Sequence, residues 1–84
     1  MADVVLYTTR WCPFCIRAIG LLNGKGAAYT NIDVGADPAL RAEMAARAGR
    51  RSVPQIWIGD THVGGCDELY ALERAGRLDE MLNS

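Results

Sequence analysis

Eighty-four residues, half of them apolar and 23% charged, are enough for one small domain with a packed core, spanning residues 1–84, and too few for a second. The net charge of −1, with signs interspersed, excludes the basic face of a nucleic-acid binder, and no apolar run is long enough to span a membrane. Met1-Ala2-Asp3-Val4 runs straight into an apolar segment with none of the regions of a signal peptide, so a cytoplasmic, reducing setting and a monomeric protein are expected.

Asp3 to Thr8 is a valine-rich apolar run that suits a strand covered on both faces. Pro13 to Lys25 repeats at helical spacing, with Cys15, Ala18, Ile19 and Leu22 on one face and Gly24 and Gly26 as the stop. Tyr29 to Val34 alternates as a second strand. Asp37 then caps a helix that begins on Pro38, runs to about Ala48 and ends at Gly49. Ser52 to Ile58 reads as a third strand, Gly59-Asp60 as a tight turn, and His62-Val63 as a short hairpin partner. Gly64-Gly65 precedes a helix from Asp67 to about Ala75, and Leu78 to Leu82 forms a final turn or two. The order β-α-β-α-β-β-α predicts an α/β fold: a four-stranded mixed sheet flanked by helices, with a parallel first pair and an antiparallel hairpin.

Three cysteines in a reducing setting are an odd count and do not make a disulfide framework. Catalysis and metal binding are the two uses left for Cys12-Pro13-Phe14-Cys15. Cys12 falls at the cap of the first helix, with Pro13 at the first helical position, where a missing N–H is harmless. Its sulfur would face the free amides of Phe14 and Cys15 and the positive end of the helix, an environment that favours thiolate over thiol. Cys15 lies on the apolar stripe. Cys12 is therefore expected to be the exposed attacking thiol and Cys15 the buried resolving one. Arg10 either adds positive potential or is a solvated loop residue. Trp11 and Phe14 either shield the sulfurs and offer apolar contact to a substrate or serve as peripheral packing.

Val53-Pro54 is the second feature. A proline at the start of a strand either sits there in trans or adopts a cis bond that opens the Val53 amide and carbonyl to a docking chain. Gly64-Gly65-Cys66-Asp67 is the third: amides at a helix start bind carboxylates, while the Asp67 side chain either accepts from an ammonium group or caps the helix. Cys66 is expected to be a quiet, semi-buried residue, although its place near a helix start leaves a reactive role open. A competing reading groups Cys12, Cys15, His62 and Cys66 as a structural zinc site. Against it, Cys15 falls on the core stripe and His62 reads as a solvent-facing strand residue.

Taken together, these motifs resemble the glutaredoxin family, in particular the bacterial dithiol members of the glutaredoxin 3 type. Val5-Leu6-Tyr7-Thr8 is similar to the family's first strand, and Cys12-Pro13-Phe14-Cys15 to its Cys-Pro-Tyr-Cys site. Gly49 to Ile56 resembles its Thr-Val-Pro segment, and Gly64 to Leu69 its glycine pair with a following acidic residue. The resemblance implies a thioredoxin-like fold, no tightly bound cofactor, and glutathione as reducing co-substrate. It also implies disulfide-containing or glutathionylated proteins as partners. It assigns catalysis to Cys12 and Cys15, and glutathione contacts to Phe14, Val53, Pro54, Gly65, Cys66 and Asp67. Arg50 or Arg51 would attract the glycine carboxylate. Phe14 stands in place of the usual tyrosine, and Thr9 where relatives commonly carry a lysine, with Arg10 beside it. A bridging iron–sulfur cluster, held by Cys12 and glutathione, is the alternative within the family; the stiffness of Pro13 argues against it.

Overall fold

The computed structural model describes residues 2–84. Its elements are β1 (Val4–Thr8), α1 (Pro13–Gly24), β2 (Thr30–Asp33), α2 (Pro38–Ala48), β3 (Gln55–Ile58), β4 (Thr61–Gly64), α3 (Cys66–Arg74) and α4 (Leu78–Leu82). They build a four-stranded mixed sheet in the order β2-β1-β3-β4. β1 and β2 are parallel, as the helical crossover requires, with Val5 opposite Thr30 and Thr8 opposite Asp33. β3 runs antiparallel to β1, with Val4 opposite Ile58 and Tyr7 opposite Gln55, and β3 and β4 form the hairpin.

Period-two alternation splits the core between the two faces of the sheet. Val4 and Leu6 of β1 and Ile56 and Ile58 of β3 meet Ala18 and Leu22 of α1, Cys66 and Leu69 of α3, and Leu78 and Leu82 of α4. Tyr7 and Trp57 face the other way, against Val34 and Met44 of α2. Both central strands are thus covered on two sides, while β2 at the edge is largely exposed. α1 and α3 are tied together where Tyr70 Oη donates to the Arg17 carbonyl at 3.3 Å and the Arg17 guanidinium lies 5.1 Å from the Tyr70 ring centre. Among the described residues no helix is long and apolar enough to cross a membrane.

The helix boundaries follow the capping chemistry. Asp37 accepts from the Leu40 amide at 3.1 Å, Pro38 opens α2, and Gly49 closes it with a φ of 74°. Several expected boundaries shift, among them the start of α3, at Cys66 rather than Asp67. β3 begins at Gln55 rather than Ser52, because Pro54 has no N–H for a ladder and the segment before it leaves the sheet. β2 is shorter than Tyr29 to Val34. β4 extends over four residues, with Val63 as an extra residue between the Trp57–His62 and Ile56–Gly64 pairs.

Candidate active site

Cys12 is the N-cap residue of α1, in extended conformation, with Pro13 beginning the helix. Its half-buried sulfur accepts from the Cys15 amide at 3.3 Å and lies 3.7 Å from the Val53 carbonyl oxygen, to which the thiol donates. A bond from an orphan helix amide strengthens as the sulfur gains negative charge. The sequence pointed to two amides, Phe14 and Cys15; only the Cys15 amide bonds to the sulfur.

The other two cysteines are placed very differently. Cys15 is 1% exposed on the core face of α1. Burial, and then the hydrogen bond and negative charge of Cys12, push its thiol up to about 12, with only the Thr9 backbone pulling the other way. Cys66 is 4% exposed within the main core, and burial raises its thiol too, against a lowering effect of Arg17. Cys66 is thus fully rather than semi-buried, and its helix start does not offset that burial.

Beside Cys12 runs a groove of about 200 Å³ lined by Phe14, Arg50, Ser52, Val53, Pro54, Gln55, Gly65, Cys66, Asp67 and Glu68. The Val53–Pro54 peptide is cis, and the Val53 amide has no backbone partner among the described residues. At the far end stands the start of α3. Gly65 is its N-cap, and the Glu68 carboxylate reaches back to accept from the Gly65 amide at 2.7 Å. The amides of Cys66 and Asp67 are the first two of the helix, where no intrahelical acceptor exists. Glu68 also pairs with Arg50 Nη2 at 3.1 Å; these two donors, Gly65 first, hold its carboxyl below the usual carboxylate range. Gly64 has a φ of 113°, a conformation that strains any other residue, and a Cβ there would also press on the ends of the Glu68 and Arg50 side chains, at 2.6 Å from Oε1 and 2.9 Å from Nη2.

Behind the groove, Gln55 is fully buried in a strand that is otherwise apolar. Its Nε2 donates to the Ser52 carbonyl at 2.9 Å and to Ser52 Oγ at 3.3 Å, and its Oε1 lies 2.7 Å from His62 Nε2. Since Gln55 presents an acceptor, that histidine nitrogen carries the proton. The side chain thus pins the segment that presents Val53 to Cys12.

Of the residues expected at the site, Cys15 bonds the Cys12 sulfur and Phe14, Arg50, Val53, Pro54, Gly65, Cys66 and Asp67 line this groove, whereas Thr9, Arg10, Trp11 and Arg51 adjoin neither. Trp11 is 86% exposed and shields no sulfur, whereas Phe14, 52% exposed, borders the groove. Asp67 lines the groove without capping its helix; the carboxylate that reaches the N-cap belongs to Glu68, one residue on. His62 is not a solvent-facing strand residue: it is half-buried, bonded to Gln55 and packed 4.6 Å from the Trp57 ring, and burial lowers its pKa. Among the described residues no group of three or more His, Cys, Asp or Glu side chains is arranged to hold a metal ion, so the four proposed zinc donors do not converge. Glu68 and Gln55 were missed. The first is visible as a glutamate three residues after a glycine cap, the second as a lone polar residue inside an apolar strand.

Residues 4–63 match the glutaredoxin family. The chain is 60% identical over 84 residues to a glutaredoxin of Pseudomonas aeruginosa, covering 100% of both. It is 48% identical to glutaredoxin 3 of Escherichia coli strain K12, covering 98% of this chain and 99% of that one. A buckwheat glutaredoxin–glutathione complex superposes with a TM-score of 0.91 at 32% identity, over 98% of this chain and 77% of that one. The sheet and its flanking helices are therefore the thioredoxin-like fold that these proteins share.

Proposed function

Because the chain belongs to the glutaredoxin family, whose members are thiol–disulfide oxidoreductases with glutathione as co-substrate, we propose that Cys12 is its nucleophile, Cys15 its resolving thiol and glutathione its reductant. The observation that carries this assignment is the Cys12 sulfur itself. It sits on a helix-end amide and against the Val53 carbonyl, and Val53 lines a groove that also holds the first residues of α3.

Attack by the Cys12 thiolate on the glutathione sulfur of a protein–glutathione disulfide breaks that S–S bond. The protein thiolate leaves and takes up a proton. The cysteinyl backbone of the bound glutathione pairs with the Val53 amide and carbonyl in the manner of an added strand. Its γ-glutamyl carboxylate meets the Cys66 and Asp67 amides, and its ammonium meets the Asp67 carboxylate. Gly65, Pro54 and Phe14 shape the walls, and Arg50 offers positive charge to the glycine carboxylate. A second glutathione thiolate then attacks the glutathione sulfur on Cys12, releasing oxidised glutathione and the Cys12 thiolate.

On a protein disulfide, the first attack leaves Cys12 bound to one substrate sulfur. Cys15 loses its proton as it attacks the Cys12 sulfur, the Cys12–Cys15 disulfide forms, and the substrate leaves as a dithiol. Two glutathiones return the pair to thiols. The high pKa of Cys15 suits this order, since Cys15 stays protonated until the adjacent sulfur is electrophilic. A reducing, cytoplasmic setting and a monomer suffice for this cycle, because one domain carries the whole site.

Glutathione-coupled turnover of wild type, Cys12→Ser and Cys15→Ser, on a small glutathione mixed disulfide and on a protein disulfide, tests the assignment. Cys12→Ser is expected to be inactive on both, and Cys15→Ser to keep only the mixed-disulfide activity. An active Cys12→Ser protein overturns it.

A further inference from the structure

Three large apolar side chains stand exposed near Cys12: Trp11, Phe14 and Ile16. Phe14 borders the groove already described. Trp11 instead lines a second groove, of about 410 Å³, with Thr9, Arg10, Asp33, Gly35, Ala36 and Arg41. The two grooves share no residue, yet each includes a residue within two positions of Cys12, and the glutathione cycle uses only the first.

The charges of the second groove are unbalanced. Asp33 Oδ1 is engaged by the Gly35 amide at 2.8 Å. Arg41 spends Nε and Nη2 on the neutral Arg51 carbonyl, at 3.3 and 3.0 Å, so its charge is not cancelled. Arg10 has no ion-pair partner among the described residues. The groove thus holds two guanidinium charges, of Arg10 and Arg41, against the single carboxylate of Asp33, in a chain whose net charge is −1. An exposed tryptophan in a groove that holds two guanidinium groups against one carboxylate is the kind of surface that anchors a polypeptide carrying a carboxylate.

We propose that this groove docks the polypeptide flanking the substrate's cysteine, with preference for a segment that carries an acidic residue next to an apolar one. The inference rests on Cys12 being the nucleophile. A glutathionyl group extends one residue to each side of its cysteine and fills one groove; a protein chain continues, and the other groove, which holds Trp11 next to Cys12 in the chain, is left for it. Burial of the Trp11 ring supplies apolar contact, and Arg10 and Arg41 select the charge.

The test uses two short glutathionylated peptides, identical except that glutamate in one is lysine in the other beside the cysteine, with a small glutathione mixed disulfide as reference. Wild type is expected to favour the glutamate peptide about tenfold in kcat/KM, through KM. Trp11→Ala is expected to raise KM for both peptides at unchanged kcat while leaving the small disulfide alone. Arg10→Gln and Arg41→Gln are expected to shrink the glutamate preference stepwise. Equal wild-type rates on the two peptides overturn the proposal, as does a Trp11-dependent dimer in sedimentation, which would make a second copy the occupant. Failure of wild type to turn over the small disulfide would instead reject the glutathione chemistry, so the two readings fail separately.

Discussion

α1 and α3 each begin with a cysteine in or next to the cap, and only one of the two sulfurs is available for chemistry. Cys12 is the cap itself, with extended backbone, so its side chain lies outside the helix, on the Cys15 amide and facing the Val53 carbonyl. Cys66 stands one position later, inside the first turn, and its side chain turns into the core among the residues around Leu69. The helix-end field is similar at both; what differs is solvation. Burial raises the Cys66 thiol in spite of its position, so a helix start does not offset the cost of taking that sulfur into the core. At α3 it is the backbone, not the sulfur, that is left for a ligand.

The sharpest way to break this comparison is to exchange the sulfurs one at a time. Cys12→Ser should lower glutathione-coupled turnover by about 1000-fold or more, as loss of a nucleophile does. Cys66→Ser should leave turnover within about threefold, because in the proposed cycle only its amide meets glutathione. A tenfold loss from Cys66→Ser would put the two helix starts on the same footing.

Alkylation reads the same contrast without mutation. With its thiol pushed up to about 12 by burial, Cys15 stays protonated at pH 7. Brief iodoacetamide treatment of the reduced protein at pH 7 should therefore give a single adduct, mapped by mass spectrometry to Cys12. Comparable labelling of Cys15 or Cys66 would contradict the burial argument.

Smaller effects concern stability. In denaturant unfolding, Cys66→Ser should cost about 1–3 kcal/mol, since it buries a hydroxyl where an apolar sulfur packs. Glu68→Gln should cost less, under about 1 kcal/mol at pH 7, because the carboxylate is half-exposed and screened. Its signature lies in the pH profile. The folded state holds the Glu68 carboxyl below its unfolded value, so its contribution is present above the unfolded pKa of about 4.3 and is lost as pH falls through the folded one. Glu68→Gln should flatten the acid limb of stability; an unchanged limb would remove Glu68 from the cap.

Local rules made much of this molecule legible in the sequence. The Asp37-Pro38 start and Gly49 stop of α2, the cap position of Cys12 and the buried stripe through Cys15 and Leu22 depend only on residues within a few positions of one another. The same holds for the inequality of Cys12 and Cys15, which follows from helix phase. What spacing could not supply is contact between distant segments. The antiparallel pairing of β3 with β1 brings Val53 to Cys12, across 41 residues, and no local pattern encodes that pairing. Gln55 was missed because the partners that make its burial tolerable, Ser52 and His62, lie on a loop and another strand. Trp11 departed from both of its expected roles for the same reason, while Cys66, expected to be semi-buried, went fully into the core. Exposure belongs to the packed whole, and in the packed whole the aromatic was left in water while the second helix-end thiol was taken into the core.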